Sequence, residues 1–316
     1  MTAPSGLVIV DKPSGLTSHD VVARVRRLAG TRRVGHAGTL DPMATGVLVV
    51  GVEKATRLLG HLALTEKTYV ATIRLGQSTS TDDAEGEPSG GSPATDIAPG
   101  ALDAEIAELT GDIWQVPPTV SAIKVNGQRA YKLTRAGAAP ELAARPVTVY
   151  EFTVNDVRQT GDFLDLDAEI RCSSGTYIRA LARDLGAALG TGGHLTALRR
   201  TAVGPYDLTQ AHTLETLENQ TRQNPDPAWI TPLAEAAAAA FLRLDLTAEE
   251  ARRLAQGARL PLPSQQSAEP SLPPGTPIAA FAPEDTLVAL VTADSNSVRS
   301  LAVFVDTPPA VRQDGR

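Results

Sequence analysis

The chain has 316 residues, a length typical of about two domains, and its 42% hydrophobic and 21% charged residues are those of an ordinary soluble globular protein. No apolar run approaches the roughly 18 residues that a membrane span requires. Its single cysteine excludes an internal disulfide and the usual zinc and redox ligand sets. The N-terminus lacks a signal-peptide pattern, so we expect a cytoplasmic protein.

The net charge of −7 is unevenly distributed along the chain. Residues 1–80 carry ten basic and five acidic residues, whereas residues 81–115 carry nine acidic residues and no basic one. Residues 116–210 are slightly basic, and residues 211–316 are acidic. Because one basic face is enough to bind a polyanion, this distribution is compatible with a nucleic-acid substrate despite the negative total.

The first elements are a strand and a helix. Residues 6–13 predict a strand that runs into a turn, and Ser18 is a plausible N-cap for a helix over residues 19–29. Five arginines lie between residues 24 and 33. They are either a solvated helix face or contacts for phosphate groups.

Residues 35–51, GHAGTLDPMATGVLVVG, are the stretch around which the chain is organised. Four glycines lie among small residues, as a backbone requires where it adopts positive φ or approaches another group closely. The proline after Asp41 keeps that residue out of the α region, so a stiff loop presents its carboxylate. An isolated Asp-Pro is most often a turn. His36 and the hydroxyls of Thr39 and Thr45, which can hold the carboxylate, favour a candidate site.

The middle of the chain predicts strands separated by a long loop. Residues 67–75 and 163–172 alternate with the period of a strand. Residues 76–100 are rich in Ser, Thr, Gly, Pro and Asp, which predicts a mobile surface loop. A helix over residues 101–110 follows.

Residues 115–150 predict an insertion that closes on substrate. It contains a Pro-Pro stop, a short strand, an Asn-Gly turn and a basic helical excursion over residues 128–146. Downstream, Cys172 ends a strand and has no evident histidine partner, so we interpret it as a packed residue rather than a nucleophile. A helix over residues 178–189 follows.

The last third predicts helices and then a small β-rich unit. Residues 211–240 are helical in pattern, and residues 247–257 form a capped helix with a glycine stop. Two apolar strands are predicted at residues 286–292 and 299–305. The tail over residues 307–316 is predicted to be disordered.

Several short motifs occur in a characteristic order. They are DKPSGLTSH at 11–19, GHAGTLDP at 35–42, KTY at 67–69, PP at 117–118, SAIK at 121–124, GTYIR at 175–179 and LRR at 198–200. In this order they resemble the tRNA pseudouridine-55 synthases of the bacterial TruB type. The resemblance runs from Gly6 to about Asp207, with a weaker C-terminal match to a PUA-like RNA-binding domain.

The resemblance implies a fold and a domain organisation. The fold is α+β, a pseudouridine-synthase fold with a mixed, largely antiparallel central sheet, followed by a small C-terminal PUA-like β-barrel. The catalytic domain is expected over residues 1–238, with the insertion at about 115–150. The RNA-binding domain is expected over residues 239–306.

The resemblance also implies a reaction. A T-loop uridine, position 55 of tRNA, is converted to pseudouridine by breaking its N-glycosidic bond and joining C5 to the ribose. The expected protein is a monomer that binds the T arm of tRNA and uses no cofactor and no metal. Two alternatives remain open: a tRNA-binding or tRNA-folding protein without essential catalysis, and a synthase for a different RNA.

The resemblance assigns catalytic roles to three residues and pocket positions to two more. Asp41 matches the essential aspartate, which either adds to the sugar or takes a proton from it. Arg179 is expected to pair with this carboxylate bidentately. Tyr69 matches the tyrosine that stacks on the base near C5, where a general base is needed. Tyr177 and Leu198 match residues that line the base pocket.

Four further residues are expected to support substrate binding. Lys12 with Pro13 would brace the catalytic loop. His36 matches the histidine that contacts displaced nucleotides, because an enzyme that acts on a base must extrude it. Lys124 belongs to the SAIK motif. Judged singly, the two tyrosines could be packed strand aromatics and Arg179 a surface residue at a helix start.

Overall fold

The computed structural model describes residues 3–119, 124–125, 128–129, 142–224, 227–261, 275–294 and 297–305, with only the backbone described at 124–125 and 128–129. The predicted helical excursion at 128–146 and the tail at 307–316 lie mostly or wholly outside these residues. The domain bounds expected from the sequence stay a prediction.

The strands in this part of the chain are, in order, β1 (Gly6–Lys12), β2 (Val34–Ala37), β3 (Thr45–Val52), β4 (Lys67–Leu75), β5 (Ser78–Thr79), β6 (Pro88–Gly90), β7 (Gly111–Gln115), β8 (Lys124–Val125), β9 (Gln128–Arg129), β10 (Arg145–Thr160), β11 (Phe163–Cys172), β12 (Gly193–Val203), β13 (Tyr206–Asp207), β14 (His212–Thr213), β15 (Thr231–Pro232), β16 (Leu242–Asp245), β17 (Leu260–Pro261), β18 (Pro277–Ala282), β19 (Thr286–Asp294) and β20 (Ser297–Val303). The helices are α1 (Ser18–Ala29), α2 (Leu59–Leu62), α3 (Ala101–Glu108), α4 (Ile178–Ala188), α5 (Leu214–Gln223), α6 (Leu233–Ala240) and α7 (Ala248–Ala255), with a 3-10 turn at Glu53–Arg57.

The central sheet is mixed and largely antiparallel, which confirms the predicted fold class. Its order is β14-β1-β3-β12-β4-β11-β10-β7, with β2, β13 and β15 paired at its sides. The parallel pairs are β1 with β14 and β3 with β12. All other pairs of this sheet are antiparallel.

The apolar residues of β1 are buried on both faces of the sheet. Leu7 and Ile9 pack in a core shared with the C-terminal sheet, whereas Val8 and Val10 pack against α1. A third core lies between β4, β11 and α4 and includes Cys172, which is fully buried. Burial raises the pKa of the Cys172 thiol to about 11, in agreement with its interpretation as a packed residue.

The stretch 76–100, predicted to be a mobile surface loop, contains regular structure and a buried aspartate. Residues 78–79 and 88–90 pair as β5 and β6, and Asp83 between them is 2% exposed. The backbone of Asp83 pairs with that of Leu195 in an isolated β-bridge. Its carboxylate accepts a hydrogen bond from the backbone N–H of Glu85. The polar side chains of this stretch therefore form hydrogen bonds within a structured turn.

The N-cap of α1 is Thr17 rather than Ser18. The Thr17 hydroxyl accepts from the backbone N–H of Asp20, and the Asp20 carboxylate accepts from the backbone N–H of Thr17, a reciprocal capping box. Ser18 is buried instead and bonds to both the N–H and the carbonyl of Leu40. The residue predicted to start the helix therefore supports the neighbouring loop.

The C-terminal sheet is a curled half-barrel, which agrees with the small PUA-like β-barrel expected from the resemblance. Its order is β16-β18-β19-β20-β17, and within the described residues β16 and β17 form its edges. Phe281 and Phe304 from the C-terminal unit share a core with Leu58 and Leu62, which lie between β3 and β4 of the central sheet, and with Ala237 of α6. This common core joins the two sheets.

Candidate active site

The loop between β2 and β3 carries Asp41 and is braced by the segment after β1. The Lys12 ammonium is buried and donates to the carbonyls of Pro13, Leu16 and Pro42 at 3.0, 2.6 and 3.2 Å. Burial lowers the pKa of Lys12 to about 8. Pro13 itself is exposed, so its contribution to the brace is its carbonyl and its fixed backbone.

The Asp41 carboxylate faces the Arg179 guanidinium from the start of α4. Arg179 Nη2 lies 3.0 Å from Asp41 Oδ2, and the arginine side chain is 5% exposed against 38% for the aspartate. The hydroxyl of Thr45, expected to hold the carboxylate, accepts from Arg199 instead. Orientation of Asp41 therefore comes from a residue far along the chain.

Arg179 is shared between two carboxylates, where the sequence predicted a bidentate pair with one. Its Nη1 lies 3.3 Å from Asp83 Oδ2 and donates to the Thr81 carbonyl at 2.8 Å. Asp83, at 3% side-chain exposure, is more deeply buried than Asp41. Sequence reasoning missed Asp83. The alternating polar residues Thr81, Asp83 and Glu85 are a sequence signal that could have indicated it, and the structure places all three in one turn.

Tyr69 lies in β4 with its side chain towards the same cleft. It is 7% exposed, and its Cα is opposite Ile170 on one side and Arg200 on the other. Burial is the main cause that raises the pKa of Tyr69, while the Arg200 guanidinium opposes the shift. The phenol is thus held in a largely dry wall of the site.

Tyr177 lies where the chain turns from β11 into α4. Its backbone N–H donates to Gln115 Oε1 at 2.8 Å, and Gln115 Nε2 donates back to its carbonyl at 3.0 Å. Gln115 is 2% exposed and was not singled out from the sequence. A single buried amide therefore fixes the backbone of the pocket tyrosine.

The predicted catalytic and pocket residues line one cleft of about 300 Å³. Asp41, Tyr69, Tyr177, Arg179 and Leu198 all contribute to its wall. This volume is at the small end of the range for binding sites of small molecules. The remaining lining residues are Gly38, Thr39, Leu40, Ala63, Lys67, Ser174, Gly175, Thr176, Ile178 and Arg200.

His36 stands beside the cleft rather than in its wall. Its ring lies 5.5 Å from that of His19 in an edge-on arrangement. Burial, followed by the charges of His19 and Arg200, lowers the pKa of His36 to about 4. Its Nδ1 is buried and has no hydrogen-bond partner among the described residues.

Three further expectations concern Lys124, membrane-spanning helices and metal binding. Lys124 lies in β8, and its side chain is outside the described part. Across the described ranges, no helix is long and apolar enough to cross a membrane. No group of three or more His, Cys, Asp or Glu residues is placed to hold a metal ion in those same ranges.

Three stretches of the chain match known families in sequence. Residues 26–178 match the TruB family pseudouridylate synthase N-terminal domain, residues 179–236 the tRNA pseudouridylate synthase B C-terminal domain, and residues 241–305 the tRNA pseudouridine synthase II C-terminal domain. The chain belongs to the TruB family. The resemblance predicted from the ordered motifs is therefore confirmed.

Relatives in the TruB family match nearly the whole chain. The chain is 58% identical to tRNA pseudouridine synthase B of Streptomyces coelicolor over 96% of this chain and 98% of the relative. The protein of the same name from Thermobifida fusca is 60% identical over 95% of this chain and 98% of the relative.

Solved structures support the TruB-family fold. The chain is similar to one in a Cbf5-Nop10-Gar1 complex, with a TM-score of 0.71 and 27% identity over 95% of this chain and 84% of that chain. A chain in an H/ACA RNP bound to a substrate RNA containing 2′-deoxyuridine matches with a TM-score of 0.70 and 25% identity, over 96% of this chain and 86% of that chain.

Proposed function

We propose that this chain converts the T-loop uridine of tRNA, position 55, to pseudouridine, with Asp41 as the catalytic carboxylate. It is a pseudouridine synthase that acts on tRNA, as its TruB-family membership and 58% identity to a curated tRNA pseudouridine synthase B support. The observation that carries the assignment of the site is the convergence of Asp41, Arg179 and Tyr69 on one cleft.

The reaction is an isomerisation that needs no external reactant. The N-glycosidic bond of uridine breaks, the base turns within the site, and C5 joins the ribose carbon that N1 has left. The Asp41 carboxylate either adds to the sugar or takes a proton from it. Both roles need a carboxylate held in one orientation, which the 3.0 Å contact with Arg179 supplies.

Tyr69 is the residue best placed to accept the C5 proton. Once C5 has joined the sugar, its hydrogen must leave before the ring recovers its double bond. Tyr69 lines the cleft together with Asp41 and is close enough to feel its charge. A phenolate within hydrogen-bond reach of that proton can act as a general base. Leu198 and Tyr177 would contact the faces and edge of the base.

We assign the extrusion of the uridine from the T loop to His36, which lies beside the cleft. The neutral imidazole of His36 carries a buried Nδ1 without a partner among the described residues, which an RNA group could satisfy. Lys12 and Pro13 brace the loop that carries Asp41, and we retain Lys124 as a substrate-binding residue. The enzyme is expected to act on the T arm as a cytoplasmic monomer without metal or cofactor.

The first experiment measures pseudouridine formation in a synthetic T-arm stem-loop. Wild type, Asp41→Asn and the surface variant Asp96→Asn are compared, and binding of the same RNA is measured in parallel. Modification by wild type and Asp96→Asn, with binding but no modification by Asp41→Asn, is the expected result. The effect should exceed about a thousandfold, because Asp41 takes part directly in bond breaking.

The alternatives give different outcomes. A protein that only binds or folds tRNA would keep its full effect in Asp41→Asn. A synthase for another RNA would leave the stem-loop unmodified while binding it weakly. Modification of a stem-loop of equal composition but scrambled loop sequence would contradict site-specific recognition.

A further inference from the structure

Arg200 lies at the junction of the catalytic loop and the strand of Tyr69. In the antiparallel register of β12 with β4 its Cα is opposite Tyr69, and in the parallel register with β3 it is opposite Gly46. The residue is 1% exposed and contributes to the wall of the cleft. It is therefore a buried cation between the strand of Tyr69 and the end of the loop that carries Asp41.

The guanidinium of Arg200 joins the two ends of the catalytic loop. Its Nε donates to the Val47 carbonyl at 2.7 Å, and its Nη2 donates to the Gly38 carbonyl at 3.0 Å. Gly38 precedes Asp41 and Val47 follows it. Because a guanidinium is a rigid planar fork, these two bonds set the distance between the loop ends.

Glycines at both ends of the loop permit this close approach. Gly38 has φ +72°, and a Cβ there would lie 3.3 Å from Arg200 Nη1. Gly46 has φ +98°, and a Cβ there would lie 2.1 Å from the Arg200 carbonyl oxygen. The loop is thus built to pack directly on Arg200.

The charge of Arg200 acts on the phenol of Tyr69. The groups that face this phenol are Arg200 from β12, Cys172 from β11 and Asp41 from the loop, with Lys67 from the same strand in the cleft wall. Burial raises the pKa of Tyr69, and the charge of Arg200 opposes that shift. Burial is the main cause that lowers the pKa of Lys67 and of His36, and the same positive charge adds to both shifts.

We propose that Arg200 is a positioning residue of the reaction, which fixes both ends of the catalytic loop and places beside Tyr69 a positive charge that opposes the effect of burial and favours the phenolate. The proposal rests on the function proposed above. The phenolate oxygen takes the proton from C5 and becomes a phenol, while the electron pair of the C–H bond restores the C5–C6 double bond. The guanidinium keeps its protons throughout.

The test reads the ionisation of Tyr69 directly. Protein labelled with 3-fluorotyrosine gives few ¹⁹F resonances, because the chain has five tyrosines, and Tyr69→Phe identifies the one of interest. Its titration midpoint is compared in wild type, Arg200→Met, Arg200→Lys and Arg158→Met. Arg158 is the matched control, because its guanidinium pairs with Asp156 and Asp167 on an exposed part of the sheet.

In Arg200→Met we expect the Tyr69 midpoint to rise by about one pH unit or more. The single-turnover rate at pH 8 should fall about a hundredfold, with the stem-loop KM within about threefold of wild type. Arg200→Lys keeps the positive charge but not the planar guanidinium that donates to both loop ends. Its midpoint should stay near wild type while its rate falls about tenfold.

An unchanged midpoint and rate in a folded Arg200→Met would overturn the proposal. If that variant does not fold, a full rate in Arg200→Lys would overturn it, because the fork would then be dispensable. Failure of the proposed function is seen separately, as unmodified stem-loop with wild-type protein. The fluorine titration still decides the electrostatic role in that case.

Discussion

Arg179 shows how one buried side chain can organise a site at the scale of single residues. A guanidinium with 5% exposure needs compensating charge, because burial of an unpaired cation is costly. Asp41 and Asp83 both contribute to that compensation. With Nη1 of the guanidinium beside Asp83, Nη2 is directed at the Asp41 carboxylate.

The substitution Asp83→Asn is expected to lower kcat about ten- to a hundredfold, because Arg179 is freed to reorient towards Asp41. The free energy of unfolding should fall by about 1–3 kcal/mol, since the buried cation keeps only part of its compensation. Single-turnover kinetics and urea denaturation measure the two effects. The neighbouring Asp82→Asn, which loses a contact with the half-exposed Arg183, is the control, and equal kinetic effects would contradict this role of Asp83.

His36 makes stability depend on pH in a defined direction. Because its pKa in the folded protein is about 4 against an ordinary value of 6.5, the unfolded chain binds the proton more readily. Its contribution to stability is therefore complete above about pH 6.5 and is lost as the pH falls towards 4. The stability difference between wild type and His36→Gln should shrink over this range in urea denaturation. A difference that is constant with pH would refute a buried neutral imidazole.

At the scale of elements, the catalytic loop is held between two parts of the sheet. The end of β1 binds it through Lys12 and the start of α1 through Ser18, and β12 binds it through Arg200. The loop itself contributes glycines where strands approach closely. The loop is thus held by hydrogen bonds from the elements around it.

Gly46→Ala is expected to destabilise the protein by more than about 2 kcal/mol. The new Cβ meets the carbonyl of Arg200 at a backbone conformation, φ +98°, that side chains rarely adopt. Gly60→Ala in α2 has open space around its Cβ and should be neutral or slightly stabilising. Thermal or urea unfolding compares the two, and a similar stability for both variants would contradict the tight packing of β3 on β12.

At the scale of the whole molecule, the catalytic sheet and the C-terminal half-barrel share one core. Phe304 is 3% exposed and packs with residues of both. Tyr206 of β13 also donates to the Ala236 carbonyl in α6, so the connecting helix is held to the catalytic sheet. We infer that the two sheets unfold together.

Phe304→Ala is expected to lower the free energy of unfolding by about 3–5 kcal/mol, because it leaves a cavity in this shared core. Leu242→Ala, at a position that is 53% exposed, should cost less than about 1 kcal/mol. Urea unfolding followed by fluorescence and by circular dichroism should give coincident transitions in the wild type. Two separated transitions would show that the sheets are energetically independent.

Local pattern predicted many elements well, and the exceptions have physical causes. The strand bounds expected at 67–75 and 163–172 agree with β4 and β11, since both alternate regularly. The strand β12 was not predicted, because register shifts after Leu195 and Arg200 break its alternation. The structured turn around Asp83 was read as mobile, because its polar side chains bond to one another within the fold.

The sequence by itself determined the family, the order of the motifs, and most residues of the candidate site. Short motifs encode local backbone geometry and chemical type, which persist wherever the chain places them. Only the tertiary structure decided that Arg179 is shared between Asp41 and Asp83, and that Arg200 joins the loop of Asp41 to the strand of Tyr69. These contacts join residues roughly a hundred or more positions apart, and such residues meet only where the packing of α4 and the register of the sheet bring them together.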